Sequence, residues 1–392
     1  MPRHPPAVAA LLAAAAACGF ASPSPPLPPL PPLHPAPPAD LQVATLARQR
    51  ALIMRDSTGF LRDPSSPIQG PDGSWHAWAV WVPPVYGTEG WSGFIKHFHS
   101  STLDSNWTNA GFALNHSTDP LAFDHLGMCS PGAQFDPAAK LWYLFYTGAT
   151  PEHTTGYPPR KGGSPMDNLS AQGVAVAESP FGPWRRLGVV APGGLAWAAD
   201  RKGGGYRINH WNGLRVDSGR ALIVNGTKLY STKGIGNGTG LPDSNPTGIY
   251  QALQGVFFPD NQSSWAPPYS AYADNPVTRA GPKGNTYTLG GAENCEFYRG
   301  PDGYFHATCA AHGEIYKDGG APHYLVSVRA DPQPSVSWQF VGFHSMGAAE
   351  ATPVYEGAGP GDKAKVRFFI ARDEGGVSLY RVSWSPAPPP AV

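Results

Sequence analysis

The amino-acid sequence predicts an all-β fold, a five-bladed β-propeller preceded by a short N-terminal segment that is helical or extended. A hairpin pattern, in which a tight turn joins an extended run to an aromatic-rich run, occurs five times at intervals of several tens of residues. Such recurrence of β units is typical of radial repeats. The 392 residues include 47 Gly, 45 Pro, 12 Trp, 16 Tyr and 17 Phe, which suits short strands and many turns. The length allows two domains, but the repeat favours one large domain over residues 60–392.

The N-terminal segment has the features of a secretory signal. Arg3 and His4 precede the apolar run Ala7–Cys18, and small residues follow this run. The run is too short to cross a bilayer, and no later stretch qualifies as a membrane span. We therefore predict a signal peptide over residues 1–21 and a secreted protein. Residues 22–39 are rich in Pro, which predicts a semi-rigid linker without a core of its own.

Residues 40–59 are the predicted lead-in to the propeller. Leu41, Leu46 and Leu52 have helical spacing, which favours a short helix before the first hairpin. An extended conformation stays open for this segment as the alternative.

The first repeat spans Gly59–Val82 and contains the charged pair Arg62 and Asp63. Its turn, Gly70–Gly73, has Pro second and Gly fourth, which predicts a tight hairpin between two strands. Asp63 precedes Gly73 by ten residues and is therefore expected near the far end of the incoming strand.

Two later repeats carry an acid at the matching distance from a turn. In the third repeat, Asp217 lies nine residues before the glycine of Asn225–Gly226, and Asn-Gly is the strongest short hairpin signal. In the fourth repeat, Glu293 precedes Gly303 by ten residues. Because equivalent strands of a radial repeat surround one axis, we expect Asp63, Asp217 and Glu293 to converge at one mouth of the ring.

The second and fifth repeats depart from this pattern. The second, Met128–Gly148, has the hairpin but no acid at the matching height, where Met128 and Cys129 stand. The fifth, Ala348–Arg372, is weaker and has Glu350 at about the right place. Glu350 is therefore a competitor for a role in the site.

The charge balance and the glycosylation sequons indicate which partners to expect. The 28 basic and 28 acidic side chains give no net charge, which argues against nucleic acid or an anionic membrane as the main partner. Together with the predicted signal peptide, six Asn-X-Ser/Thr sequons favour a secreted glycoprotein. The sequon residues are Asn106, Asn115, Asn168, Asn225, Asn237 and Asn261.

Three cysteines remain after the predicted signal peptide is removed, at positions 129, 295 and 309. Pairing across the turn Gly300–Gly303 puts Cys295 and Cys309 opposite each other, within one residue of register. A cross-strand disulfide and two buried thiols both stay open. The spacing of Cys and His suggests no zinc site.

Five motifs follow one another along the chain: LRDPSSPI, LWYLFYTG, GVAVAESPFGPW, RVDSGRALIV and GAENCEFY. This ordered set resembles the five-bladed propeller glycoside hydrolases, in the clan around families 43 and 117, the latter acting on algal agar oligosaccharides. The resemblance covers roughly residues 60–328, and its specificity lies in the order of the motifs together with acids in blades one, three and four.

The resemblance implies a role for each of the three acids. Asp63 matches the general base of these enzymes, and Asp217 matches the aspartate that orients the site and tunes the pKa of the acid. Glu293 matches the general acid of family 43. In family 117 a His directly before this Glu is the proposed acid, whereas this chain has Ala292. The departure favours a carboxylic acid as in family 43 and puts a family 117 substrate in doubt.

Glycoside chemistry asks for the same arrangement. One protonated carboxyl must face the leaving oxygen and one ionised carboxyl must face the other side of the sugar, about 6.5–9.5 Å away in inverting enzymes. Asp217 close to Glu293 would raise the pKa of Glu293 by like-charge repulsion. Each acid also has a structural interpretation, since Asp-Pro and Asp-Ser commonly form turns and a strand end can carry a solvated charge.

Further residues of the predicted inner loops could bind a sugar by stacking or hydrogen bonding, and packing is the alternative for each. With Arg62 and Glu350, the predicted substrate-binding residues are Trp91, His99, Trp211 and His312. The chemistry requires no cofactor, and a structural metal ion in the axial channel is a further option without named ligands. Two functions stay open: a secreted inverting glycosidase acting on plant or algal oligo- or polysaccharides, and a propeller that binds glycans without cleaving them.

Overall fold

The structure is a computed structural model. Within the part of the chain that it describes, the named secondary-structure elements are all β-strands, and no helix there is long and apolar enough to cross a membrane. The prediction of an all-β fold is confirmed. The described residues are 40–84, 93–149, 170–192, 207–216, 219–231, 248–271, 273, 292–311, 323–327, 339–343, 349–355, 366–373 and 375–386.

The strands of the described residues form five antiparallel sheets, and strand β1 (Gln42–Arg55) belongs to the last of them. Sheet 1 contains β2 (Phe60–Arg62), β3 (Ile68–Gln69), β4 (Trp75–Val82), β5 (Phe94–Ser100) and β6 (Thr108–Leu114). Sheet 2 contains β7 (Gly127–Asp136), β8 (Leu141–Ala149), β9 (Ser170–Ala177) and β10 (Arg185–Ala191).

The remaining strands of the described residues form three further sheets. Sheet 3 contains β11 (Arg207–Val216), β12 (Gly219–Ser231), β13 (Gly248–Pro259) and β14 (Tyr269–Ala271). Sheet 4 contains β15 (Ala292–Arg299), β16 (Phe305–Ala311), β17 (His323–Ser327) and β18 (Gln339–Phe343). Sheet 5 contains β19 (Ala349–Tyr355), β20 (Val366–Asp373) and β21 (Gly376–Pro386), and β1 pairs with β21 at its edge.

The first strands of the sheets contact one another in cyclic order. Strand β7 contacts β3 and β11, β15 contacts β11 and β19, and β19 returns to β3. Sheets arranged in this way around their first strands form a β-propeller, in agreement with the predicted architecture. The number of five blades stays a prediction for the whole chain, since the five sheets are counted on the described residues.

Apolar side chains fill the spaces between neighbouring sheets. Strand β4 (WHAWAVWV) is buried on both faces, so that Ala77 belongs to the cluster shared with sheet 5 and Trp78 to the cluster shared with sheet 2. Phe145 of sheet 2 meets Trp265, which follows β13, at 5.8 Å between ring centroids. A strand packed on both faces needs a near-continuous apolar sequence, which explains the aromatic-rich second runs of the repeats.

The helical alternative for residues 40–59 is wrong, because Gln42–Arg55 forms strand β1. Its residues pair with β21 from Gln42 to Arg55, with irregularities near Arg50. Val43 and Ala44 are buried there. Pairing with the C-terminal strand overrides the helical spacing of the leucines, because that strand would otherwise be left as an unpaired edge.

The hairpins predicted at Gly70–Gly73 and Gly300–Gly303 are confirmed, as is the hairpin between the first two strands of sheet 2. The predicted turn at Asn225–Gly226 is wrong. Both residues lie within β12, which pairs with β11 and β13, and β11 joins β12 between Val216 and Gly219. Two neighbouring strands supply backbone partners for the whole Asn-Gly segment, which therefore stays extended.

Candidate functional site

Asp63 lies in a bulge at one end of sheet 1. Arg62 pairs with Val80. Asp63 and Pro64 then form a bulge, and pairing with β4 resumes at Ser65. The amide of Ser65 donates to the carbonyl of Trp78 at 2.7 Å, and the amide of Trp78 donates to Ser65 Oγ at 2.9 Å. Asp63 has a φ of 43°. Non-glycine residues rarely adopt this region, and such residues cluster at functional sites.

The carboxylate of Asp63 is almost fully buried. Asp63 and Arg62 are each 3% exposed, and Arg62 Nε lies 3.5 Å from Asp63 Oδ2. Burying a charged carboxylate is costly unless a positive charge lies beside it, and Arg62 supplies that charge. The bulge therefore holds a carboxylate together with its counter-ion.

The first strand of every sheet has a bulge at an equivalent place. The interruptions lie between Arg62 and Ser65, Cys129 and Gly132, Asn209 and Trp211, Glu293 and Glu296, and Ala349 and Thr352. The distance from the hairpin turn to the bulge can be counted on the second strand of each sheet. From the residue of the first pair after the turn to the residue paired next to the bulge, it is five or six positions in every sheet. These residues are Trp75 and Val80, Leu141 and Thr147, Gly219 and Asn225, Phe305 and Ala310, and Val366 and Arg372.

The five bulges therefore stand at one height along the first strands, at the end opposite to the hairpin turns. We call this set of bulges the bulge ring. Bulges re-aim side chains and occur frequently next to active sites. The bulge ring is the candidate functional site.

Two predicted acids belong to the bulge ring. Glu293 pairs with Ala310 directly before the bulge of β15, in the place that Arg62 has in sheet 1. Glu350 lies within the bulge of β19, in the place that Asp63 has. The side chains of both glutamates lie outside the described residues. The backbone positions of Asp63, Glu293 and Glu350 thus agree in height within one residue.

Asp217 lies outside the described residues, but its neighbours are placed. Val216 is the last residue of β11 and pairs with Gly219, at the hairpin end of sheet 3. In sheet 2 the corresponding hairpin begins with Asp136, whose Oδ1 accepts hydrogen bonds from the amides of Ala138 and Ala139 at 3.0 and 3.2 Å. Val216 and Gly219 therefore lie at the hairpin end of sheet 3, away from the bulge ring.

His99 is not brought to Asp63 either. It pairs with His76 next to the hairpin end of sheet 1, whereas Arg62 pairs with Val80 at the bulge end. Trp211 follows the bulge of β11, and its side chain lies outside the described residues. Trp91 and His312 lie outside the described residues altogether.

Sequence reasoning missed two residues of the bulge ring, Ser130 and His210. Ser130 has a φ of 46° and precedes a proline, as Asp63 does. The signal was present, because Ser130 lies ten residues before Lys140, which is left-handed with a φ of 53°, as Gly73 is in the first hairpin with a φ of 83°. Because this turn has a lysine where the first hairpin has a glycine, the sequence did not show that Ser130 matches Asp63. His210 was missed because the turn was predicted at Asn225–Gly226, which gave the third repeat the wrong register.

In the described part of the chain, no group of three His, Cys, Asp or Glu side chains could hold a metal ion. Cys129 is a buried thiol. Cys295 lies in the bulge of β15 and Cys309 lies opposite this bulge on β16, so the predicted cross-strand register is confirmed.

Comparisons with known proteins address the fold. The sequence matches no protein-family model and no curated protein. A family 117 glycoside hydrolase of the marine bacterium Zobellia galactanivorans matches with a TM-score of 0.57 and 16% identity, over 89% of this chain and 92% of its own. Fructan 1-exohydrolase IIa of Cichorium intybus matches with a TM-score of 0.51 and 13% identity, over 83% of this chain and 56% of its own. A thermostable family-43 glycoside hydrolase matches with a TM-score of 0.46 and 13% identity, over 86% of this chain and 99% of its own.

The two likenesses with TM-scores above 0.5 establish the fold. The chain is a β-propeller similar to that of the family 117 glycoside hydrolase, and the predicted resemblance to glycoside hydrolase propellers is confirmed at this level. Fold does not by itself assign function, which has to be argued from the site.

Proposed function

We propose that this protein is a secreted glycoside hydrolase that cleaves glycosidic bonds of plant or algal oligo- or polysaccharides. One observation carries the proposal: in a propeller shared with glycoside hydrolases, the bulge ring holds the backbones of Asp63 and Glu293 at one height on two different first strands. Glycoside cleavage needs two carboxyl groups that face each other across a sugar, and separate strands around one axis supply them. Secretion is supported by the apolar segment Ala7–Cys18 and the six sequons.

The proposed mechanism inverts the anomeric carbon. Asp63 removes a proton from a water molecule, which attacks the anomeric carbon as the bond to the leaving oxygen breaks. Glu293 donates its proton to that oxygen, so the reaction ends with Asp63 protonated and Glu293 ionised. The burial of Asp63 beside Arg62 supports its role as the base.

A third carboxyl is needed to hold the proton on Glu293, and the chain offers two. Asp217 is the residue that the family resemblance suggests as pKa modulator. Glu350 is supported by its place in the bulge of β19, next to the fourth sheet, since β19 contacts β15. A carboxylate close to Glu293 disfavours ionisation of this group and raises its pKa.

The test is product release from a panel of plant and algal oligosaccharides. We expect wild-type protein to release sugar, and Asp63→Asn and Glu293→Gln to lower kcat by about 10²–10⁴-fold in protein that circular dichroism shows to be folded. Loss of the third carboxyl should shift the basic limb of the pH–kcat/KM profile to lower pH, in either Asp217→Asn or Glu350→Gln. NMR of the first product should give the inverted anomer. Full turnover by Asp63→Asn would contradict the assignment.

A glycan-binding propeller without catalysis is the second candidate, favoured by Ala292, which replaces the His that family 117 has before this Glu. In that case the carboxylates accept hydrogen bonds from sugar hydroxyls. Saturable binding of an oligosaccharide without any product after prolonged incubation would identify the binder.

A further inference from the structure

Ser130 shares with Asp63 a backbone conformation that calls for an explanation. Among the described residues, four that are not glycine have a positive φ: Leu52, Asp63, Ser130 and Lys140. Lys140 lies in a hairpin turn and Leu52 in an irregular part of β1, where such angles are common. Asp63 and Ser130 remain, and each stands in a first-strand bulge and precedes a proline.

The bulges of sheets 1 and 2 are neighbours. A bridge of two hydrogen bonds, each 3.2 Å, joins Gly93 to Met128 directly before the second bulge. Cys129 packs in one buried cluster with Val80 and Val82, and Val80 is the partner of Arg62. Ser130 therefore stands beside the place that holds the proposed base.

The hydroxyl of Ser130 has a poor internal partner. Ser130 is 3% exposed, and among the described residues its Oγ donates to one acceptor, the Sγ of Cys129 at 3.6 Å. A thiol sulfur is a weak acceptor, so this buried hydroxyl keeps most of its hydrogen-bonding capacity unused. A sugar hydroxyl, which both donates and accepts, would complement it.

Hydrogen bonds anchor the strand behind Ser130. Tyr146 of β8 lies opposite the bulge, and its hydroxyl donates to Asp124 Oδ2 at 3.0 Å. Arg186 donates to the same oxygen at 2.7 Å. Burial raises the pKa of Tyr146, so its hydroxyl stays protonated as the donor. A bulge fixed in this way holds Ser130 in position before a ligand arrives, which reduces the entropy cost of binding.

We infer that Ser130 is a positioning residue of the proposed glycosidase site, whose hydroxyl binds a hydroxyl group of the sugar held at Asp63 and selects for sugars that carry it. This inference rests on the proposed function. A site that hydrogen-bonds a substrate hydroxyl rejects the analogue that lacks it, because the buried protein group is then left unpaired.

The test compares Ser130→Gly with wild type on the oligosaccharide that wild type cleaves and on a series of its monodeoxy analogues. Glycine accepts a φ of 46° without strain, so the melting temperature should be unchanged or higher. We expect kcat/KM for the parent sugar to fall about tenfold or more. We also expect the preference of wild type for the parent sugar over one analogue to shrink by the same factor, which a general loss of folded protein would not cause.

Three further results complete the test. Ser130→Asn, which tolerates the left-handed region and keeps a polar side chain, should regain part of the lost kcat/KM. Lys140→Gly, the same type of change in the hairpin of this sheet, should leave kcat/KM unchanged. If Ser130→Gly keeps both the kcat/KM and the sugar preference of wild type, the inference is overturned while the proposed function stands. If wild type releases no sugar, both are overturned.

Discussion

Two histidines of sheet 1 are buried in their neutral form. His76 is 1% and His97 2% exposed, and His76 Nδ1 lies 3.0 Å from His97 Nε2. The second ring nitrogen of His76 lies 2.8 Å from Ser74 Oγ, which also donates to Asp72. Burial lowers the pKa of His76 to about 4, against the opposing charge of Asp72, and lowers that of His97 to about 3, with His76 and His99 adding to the shift.

We therefore expect acid to destabilise the protein through these two residues. Between about pH 6.5, where a histidine titrates in the unfolded chain, and the lowered pKa values, the unfolded state binds protons that the folded state does not. The free energy of unfolding then falls as the pH falls, by several kcal/mol in total, since each pKa unit corresponds to about 1.36 kcal/mol.

Urea unfolding at a series of pH values from neutral to about 4.5 measures this slope. His97→Gln should be less stable at neutral pH because it disturbs packing, but its stability should depend less steeply on pH. A slope equal to that of wild type would contradict the assignment to His97.

At the scale of the secondary-structure elements, the hairpin turns share a left-handed residue. Gly73 and Gly303 occupy this place with φ of 83° and 82°, and Lys140 occupies it in sheet 2 with 53°. A residue with a side chain is disfavoured there by about 1–2 kcal/mol, whereas glycine loses about 0.5–1 kcal/mol more conformational entropy on folding.

Lys140→Gly should therefore stabilise the β7–β8 hairpin by up to about 1 kcal/mol, which is the difference between these two effects. Thermal unfolding should show a slightly higher melting temperature. Ala139→Gly is the matched control in the same exposed turn, outside the left-handed region, and it should lower the melting temperature. Equal effects of the two substitutions would show that the φ of Lys140 carries no cost.

At the scale of the whole molecule, the N-terminal strand completes the last sheet. Strand β1 covers the edge of β21, where Val377 and Leu379 are fully buried. The start of β1 also joins sheet 4, because the amide of Gln42 donates to Asp302 Oδ2 at 2.9 Å. Closure of a ring by strands from both ends of the chain removes an exposed edge.

A chain that begins at residue 57 should therefore aggregate or lose its cooperative thermal transition, because the edge of β21 and its apolar neighbours become exposed. Size-exclusion chromatography and thermal unfolding measure both outcomes. A chain that begins at residue 40 is the control and should behave as the full-length protein does. A normal transition in the shorter chain would mean that sheet 5 is stable without β1.

Much of the fold could be predicted from local sequence signals. The turns at Gly70–Gly73 and Gly300–Gly303 have Pro and Gly at fixed places, and strand β4, which follows the first turn, is apolar because it is packed on both faces. The positions of Asp63 and Glu293 relative to these turns follow from spacing alone, since a strand advances by a fixed length per residue.

The tertiary structure decided what depends on residues far apart in the chain. Strand β1 is extended because it pairs with β21. The two strands lie more than three hundred positions apart in the chain, as the hydrogen bond from Arg48 to Asp373 shows, which joins residues 325 positions apart. The Asn225–Gly226 segment stays within a strand because two neighbouring strands pair with it. Repeat spacing determined which residues could belong to a site, but a bulge exists only where one strand has an extra residue relative to its partner. Only the pairing of the strands could therefore place Ser130 and His210 in the bulge ring with Asp63.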